Sequence, residues 1–199
     1  MALNTQLAST SLKIFNPDAL YVTLFAPNAE GVLVKQGDTY KLSEVIRDTT
    51  TISQDDPEEQ TIDNEFGSAP ILSNVTQGSY QFSAEVADMQ STLLEKLCGY
   101  KKGTGEGYSD RVFAPASYTP IYAEIALAFK TGADSFVAAV LPKVQLNSKA
   151  TFDSLSSSMG RITLAGTGQN VQVKISASET MDTPFYLDTN FIASELVVS

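Results

Sequence analysis

The sequence predicts a mainly β fold: an antiparallel barrel or sandwich of about nine to ten strands with one flanking α-helix. Three observations carry this. Apolar and polar residues alternate with period two, most cleanly where Tyr80, Phe82, Ala84 and Val86 oppose Ser79, Gln81, Ser83 and Glu85. A single stretch, 88–98, has persuasive helical spacing. The strand-like runs also follow one another without the strand–helix alternation of parallel α/β folds.

Taken in order, residues 1–18 are a polar N-terminal arm ending in the Asn16-Pro17-Asp18 turn signal. Ala19–Ala26 is a strand with Leu20, Val22 and Leu24 on one face and Tyr21 and Phe25 on the other, so both faces are buried. Pro27–Gly31 turns the chain, Val32–Val34 is a short strand, and Gln36-Gly37-Asp38 is a second turn. Glu44–Phe66 reads as a long hairpin, its first arm rich in Thr and Ile, its second arm Gln60–Phe66, and QDDPEE the loop between them. Gly67–Pro70 and Asn74–Gly78 are loop chemistry, and Ser79–Val86 is a half-buried strand.

The helix takes Asp88 as N-cap, presents Met89, Leu93, Leu94 and Leu97 as its apolar stripe, and ends at Gly99 in the C′ position. At about eleven residues it is too short to stand alone and must dock on a sheet. Residues 99–120 form a flexible, Gly-rich insertion whose two lysines precede most of its glycines, unlike a phosphate-binding loop. Val112–Ala114, Ile121–Phe129 and Ser135–Leu141 are further strands, with Gly132-Ala133-Asp134 as a hairpin connection. Alternation is weaker over Val144–Phe152. Arg161–Ala165 and Val171–Ala177 read as a final hairpin around Gly166-Thr167-Gly168, a run without the order of a Rossmann fingerprint. The C-terminal arm, 179–199, is apolar enough to pair with a sheet or to reach a neighbour.

Composition narrows the function. The 199 residues include no histidine, which removes the commonest general base and metal ligand together with the His-activated nucleophiles. Cys98 is alone, so no intrachain disulfide forms, and it reads as a small apolar filler. No apolar run has the length of a membrane span, and no secretory signal pattern opens the chain. A net charge of −10 opposes wrapping nucleic acid but not letting it pass. Residues 51–70 hold six of the acids and no Lys or Arg. Asp55, Asp56, Glu58 and Glu59 lack the alternating spacing of a calcium loop, and Glu85 and Glu124 serve as an acid–base pair only if the fold joins them. Tyr100, Tyr108, Tyr118 and Tyr122 are candidate stacking platforms for a sugar, weakened by the absence of tryptophan. The chain is read as a non-enzyme without metal or cofactor.

The order of these parts resembles the tail tube proteins of long-tailed bacteriophages and the wider group of injection-system tube proteins. The acidic hairpin Glu44–Phe66, the Gly-Ser-Ala-Pro-Ile break and the strand Ser79–Val86 running into DMQSTLLEKLCG carry the likeness, with the late strand pairs and apolar terminal arm. It covers 19–178 as one β domain. The resemblance implies a structural virion protein of the tail, folded in the host cytoplasm and assembled as homo-hexameric rings. Their sheets join edge to edge, and the rings stack into a tube with an acidic lumen for DNA passage. Tape-measure, terminator and baseplate proteins are its implied partners, and DNA passes without specific binding. Carried onto this sequence, Asp48, Asp55, Asp56, Pro57, Glu58, Glu59, Asp63 and Glu65 belong to the ring-stacking, lumen-lining hairpin, and Met89, Leu93, Leu94 and Leu97 to an outer helix. The insertion 99–120 is longer than a minimal tube subunit requires. The alternatives are a connector ring at the head–tail junction and a β-sandwich binding module on the virion surface.

Overall fold

Period-two patterning becomes one large antiparallel sheet in the computed structural model, which describes residues 17–42, 44–62, 72–132, 135–152 and 160–192. Its first half comprises β1 (Pro17–Pro27), β2 (Leu33–Leu42), β3 (Thr51–Gln54), β4 (Glu58–Ile62), β5 (Leu72–Thr76) and β6 (Tyr80–Val86). The helix α1 (Ser91–Cys98) and the short strands β7 (Lys101–Lys102) and β8 (Val112–Phe113) follow. The second half holds β9 (Ile121–Lys130), β10 (Phe136–Leu146), β11 (Lys149–Thr151), β12 (Arg161–Gly168), β13 (Val171–Lys174), β14 (Thr180–Thr183) and β15 (Tyr186–Asp188). The main sheet runs β2-β1-β9-β10-β12-β6-β3, with β11 beside β12 and β15 beside β10. It does not close into a barrel; the architecture is mainly β and sandwich-like with a single helix among the described residues. That helix is neither long nor apolar enough to cross a membrane.

β10 organises this arrangement. One edge pairs with β9 along its length, the register slipping by one residue between Leu141 and Val144. Pro142 sits in that slip, where a residue without an N–H breaks no ladder bond. The other edge has two partners: β15 covers Ala138–Val140 and β12 covers Val144–Leu146. The Asn147 N–H then donates to the Ala165 carbonyl (2.7 Å), and β11 meets β12 in the same register, so 144–151 is one arm opposite 161–168.

The core lies on one face. Leu20 and Val22, Phe82, Ala84 and Val86, Ala123 and Ile125, Leu141, Val144 and Leu146, and Ile162 and Leu164 form it with Leu93, Leu94 and Leu97 of the helix. Each helix leucine contributes about 1.5–3 kcal/mol by leaving water, and without them the eight-residue helix would not persist. The opposite face is small and apolar near its centre, where Ala19, Tyr21, Ala126, Ala128, Ala138 and Val140 are covered by Phe191, whose ring lies 5.8 Å from that of Tyr21. The C-terminal arm thus turns back onto its own sheet through β15.

Four sequence expectations change. The helix begins at Ser91 with Gln90 as N-cap, because Asp88 spends its carboxylate on Gln90 itself, accepting from its backbone N–H (3.1 Å) and side-chain amide (2.9 Å). Met89 therefore precedes the helix and packs half-buried against the core, while Gly99 adopts the left-handed cap at φ 70°. Gln36-Gly37-Asp38 lies inside β2, where the register against β1 shifts between Thr23 and Phe25. Residues 99–120 contain the small β7–β8 ribbon. The expected hairpin around Gly166–Gly168 does not form: β12 runs through these glycines to pair with β6 and β10, and β13 pairs with β14.

The reason is proximity. A Cβ on Gly166 would lie 2.5 Å from both the Gln145 carbonyl oxygen and Val144 Cγ1, so glycine here permits backbone approach and marks no turn. Gly166→Ala should cost about 1–3 kcal/mol in urea unfolding with an unchanged m-value. An alanine variant as stable as the parent would contradict the β10–β12 spacing.

Candidate functional site

The acidic segment begins on an edge strand. Val45 bridges to Val86, the Ile46 N–H donates to Glu85 O (2.8 Å) and the Ala87 N–H to Glu44 O (2.8 Å). β3 resumes the pairing at Thr51↔Ser83, three residues out of step with Val45↔Val86. The surplus residues bulge outward at Arg47–Thr49. Thr49 closes the bulge: its hydroxyl donates to Ile46 O (2.7 Å) and accepts from the Glu85 N–H (3.1 Å). Asp48 occupies the left-handed region at φ 63°, a conformation that aspartate tolerates better than most residues. Its contact with Arg47 at 4.0 Å is fully solvated and contributes little.

Beyond β3 the register identifies a single long arm. β3 pairs with β6 through Gln54↔Tyr80, and β4 pairs with β5 from Glu58↔Thr76 to Ile62↔Leu72; partner numbers sum to 134 in both ladders. The two ribbons are one hairpin, interrupted around 55–57 and 77–79. QDDPEE is therefore not the loop between two arms but a break within the ascending one, and the chain reverses between Ile62 and Leu72. Pro57 has no N–H to offer a ladder, which accounts for a break at this position. Asp63 and Glu65 lie outside the described residues.

The break is tightly built on its sheet side. The Asp55 N–H donates to Ser79 O (2.9 Å) and keeps the register. The Asp55 carboxylate accepts from Ser79 Oγ (2.7 Å) and Gln81 Nε2 (2.9 Å). Gln81 is oriented in turn by Thr167, whose hydroxyl donates to Gln81 Oε1 (2.9 Å) from β12. Hydrogen bonds from Gln81 and Ser79 hold the Asp55 carboxyl below the ordinary aspartate range. Opposite, a Cβ on Gly78 would fall 1.9 Å from the Asp55 carbonyl oxygen, so only glycine allows the two backbones to approach this closely.

The outer side is open. Asp48, Asp55, Asp56, Glu58 and Glu59 are all exposed, as is Val75, the cross-strand partner of Glu59. A shallow depression of about 230 Å³ lies at the break, lined by Asp55, Asp56, Glu58 and residues 76–79. Among the described residues no three acidic or thiol groups converge as a metal site.

The remaining candidates are dispersed. Glu124, buried on β9, pairs with Lys35 at 2.6 Å, and Glu85 on β6 pairs with Arg161 at 3.2 Å. β10 and β12 separate them, so the two carboxylates do not work together. Burial pushes the Cys98 thiol up to about 11, leaving it protonated and inert near neutrality. Tyr108 and Tyr118 are exposed, Tyr100 packs on the core, and Tyr122 lies under Lys143, 5.0 Å from ring centroid to Nζ. No ring contact joins any two of the four. The polar face expected of Ser79, Gln81, Ser83 and Glu85 is joined across strands in a way the alternation does not reveal: the Thr51 and Ser83 hydroxyls lie 3.0 Å apart and Gln81 is bonded to Thr167.

No protein-family model matches the chain, and no curated protein matches it in sequence.

The clamp has a defined pH signature. Asp55 binds its proton less readily folded than unfolded, so its contribution to stability is complete above about pH 4 and disappears as pH falls through the lower folded value. In thermal unfolding Asp55→Asn should lose stability at low pH less steeply than the parent, with the two curves converging below about pH 4. Parallel curves across that window would remove Asp55 from the network.

Proposed function

We propose that this chain is a structural subunit of the bacteriophage tail-tube type, assembling with copies of itself into hexameric rings that stack around an acidic passage for DNA. The observation that carries the reading is the acidic arm. It leaves the sheet in register with β3 and β6, and among the described residues β4 and β5 pair only with each other. A two-stranded ribbon is marginal by itself in water, which favours a role in contact with something outside the chain.

The sheet edges support the same reading. β2 and β3 border an open sheet and lack outer partners among the described residues. Unpaired edges are a liability that head-to-tail contacts between identical chains remove, closing into a ring when the rotation permits. Carboxylates on the arm would repel phosphate and so keep DNA moving. In this setting the tape-measure, terminator and baseplate proteins are the neighbouring components, and the site of action is the virion tail. The absence of histidine from the sequence, and the separation of Glu85 from Glu124 among the described residues, favour a structural over an enzymatic role.

Negative-stain microscopy and native mass spectrometry of the purified chain should show rings, and stacks of rings at higher concentration. A monomer persisting over a wide concentration range would overturn the proposal. Combining Asp56→Asn and Glu58→Gln spares the Asp55 clamp; this variant should alter stack length with the melting temperature unchanged. Unaltered stacking would exclude the arm from the ring–ring contact.

A further inference from the structure

We infer that Thr167, Gln81 and Asp55 form a relay that fixes the direction in which the acidic arm leaves the sheet, making the break at 56–57 and 77–78 a clamped hinge. On the sheet side every strand is held by ladders: β3 to β6, β6 to β12, and β12 to β10. On the far side β4 and β5, among the described residues, form a strand ladder only with each other. The orientation of the distal ribbon is therefore set by the few residues at the break.

Two kinds of contact act there. Steric contact is the first: Gly78 brings its backbone against the Asp55 and Asp56 carbonyls, leaving no room for a side chain between the crossing chains. The second is directional. The Asp55 carboxylate receives both Ser79 Oγ and Gln81 Nε2 on Oδ2, which fixes its side-chain torsions at the last laddered residue before Pro57. The ionised Asp55 carboxylate can only accept, so Gln81 presents its amide nitrogen there, and its oxygen faces Thr167, whose hydroxyl donates to it and holds the side chain in place. A residue on β12, the neighbour of β6, thereby steadies the donor that holds the arm's root. Backbone pairing at Asp55–Ser79 remains possible without this relay, so removing it should free the hinge without dissolving the hairpin.

The test is the distance between spin labels at Val75→Cys on the arm and Lys130→Cys on β9, in a Cys98→Ser background, with labelled full-length chains diluted into unlabelled ones. The parent should give one narrow distribution. Asp55→Ala and Gln81→Ala should broaden it on the order of twofold as the ribbon samples other orientations, at a melting temperature that still reports a folded sheet. Thr167→Val removes one hydroxyl without touching the arm and should broaden it to an intermediate width. Thr51→Val deletes a neighbouring hydroxyl pair outside the relay and should change nothing. An unchanged width in Asp55→Ala or in Thr167→Val, or equal broadening in Thr51→Val, would overturn the inference.

Discussion

Every backbone N–H and C=O in a buried strand must find a partner, and at β10 that requirement shapes the whole sheet. A strand this long and this buried needs both edges occupied. β9 satisfies one edge, and β12 and β15 divide the other. The C-terminal strand is thus integral to the sheet, and the apolar patch around Tyr21 and Ala138 is covered from within the chain. Even Pro142, which would disrupt an unbroken ladder, is placed where the pairing with β9 slips.

Much of this was legible in the sequence because period-two alternation is a direct imprint of a sheet with unlike faces. Ser79–Val86 and Ile121–Phe129 became β6 and β9 nearly residue for residue, and Gly99 ended the helix as expected. What failed was the interpretation of punctuation. Glycine serves both where a chain must turn and where two backbones must nearly touch, and sequence alone does not separate these demands. Gly166 belongs to the second kind, although its Gly-Thr-Gly context predicts the first. QDDPEE carries a similar ambiguity: proline and four acids can reverse a chain or merely interrupt its ladder. Only the common register on either side shows that the arm continues past them. Asp88 illustrates a third ambiguity, since a residue suited to capping a helix also suits an Asx turn just before one.

The candidate site was legible in position but not in construction. The acids of the arm stood out by charge; Ser79, Gln81 and Thr167, which hold Asp55, looked like ordinary outward-facing strand residues. Charge density points to where a chain meets its surroundings, whereas uncharged groups oriented by neighbouring strands determine how that charge is presented. In the proposed ring subunit the two properties are complementary: exposed acids would meet a neighbour or the passage, and the network behind them would aim the arm.

The strand order also has a kinetic consequence. Val22 lies beside Ile125, and Gln81 beside Thr167, so segments remote in sequence interleave and neither half of the chain can close a sheet alone. Nucleation must therefore bring distant segments together before their contacts repay the lost chain entropy, which places the domain among slow-folding topologies. Until β9 and β10 slot between the flanking pairs, hydrophobic strand edges stand open on both sides, and the interval before that insertion is when the polypeptide is most vulnerable to mispairing with other unfinished chains.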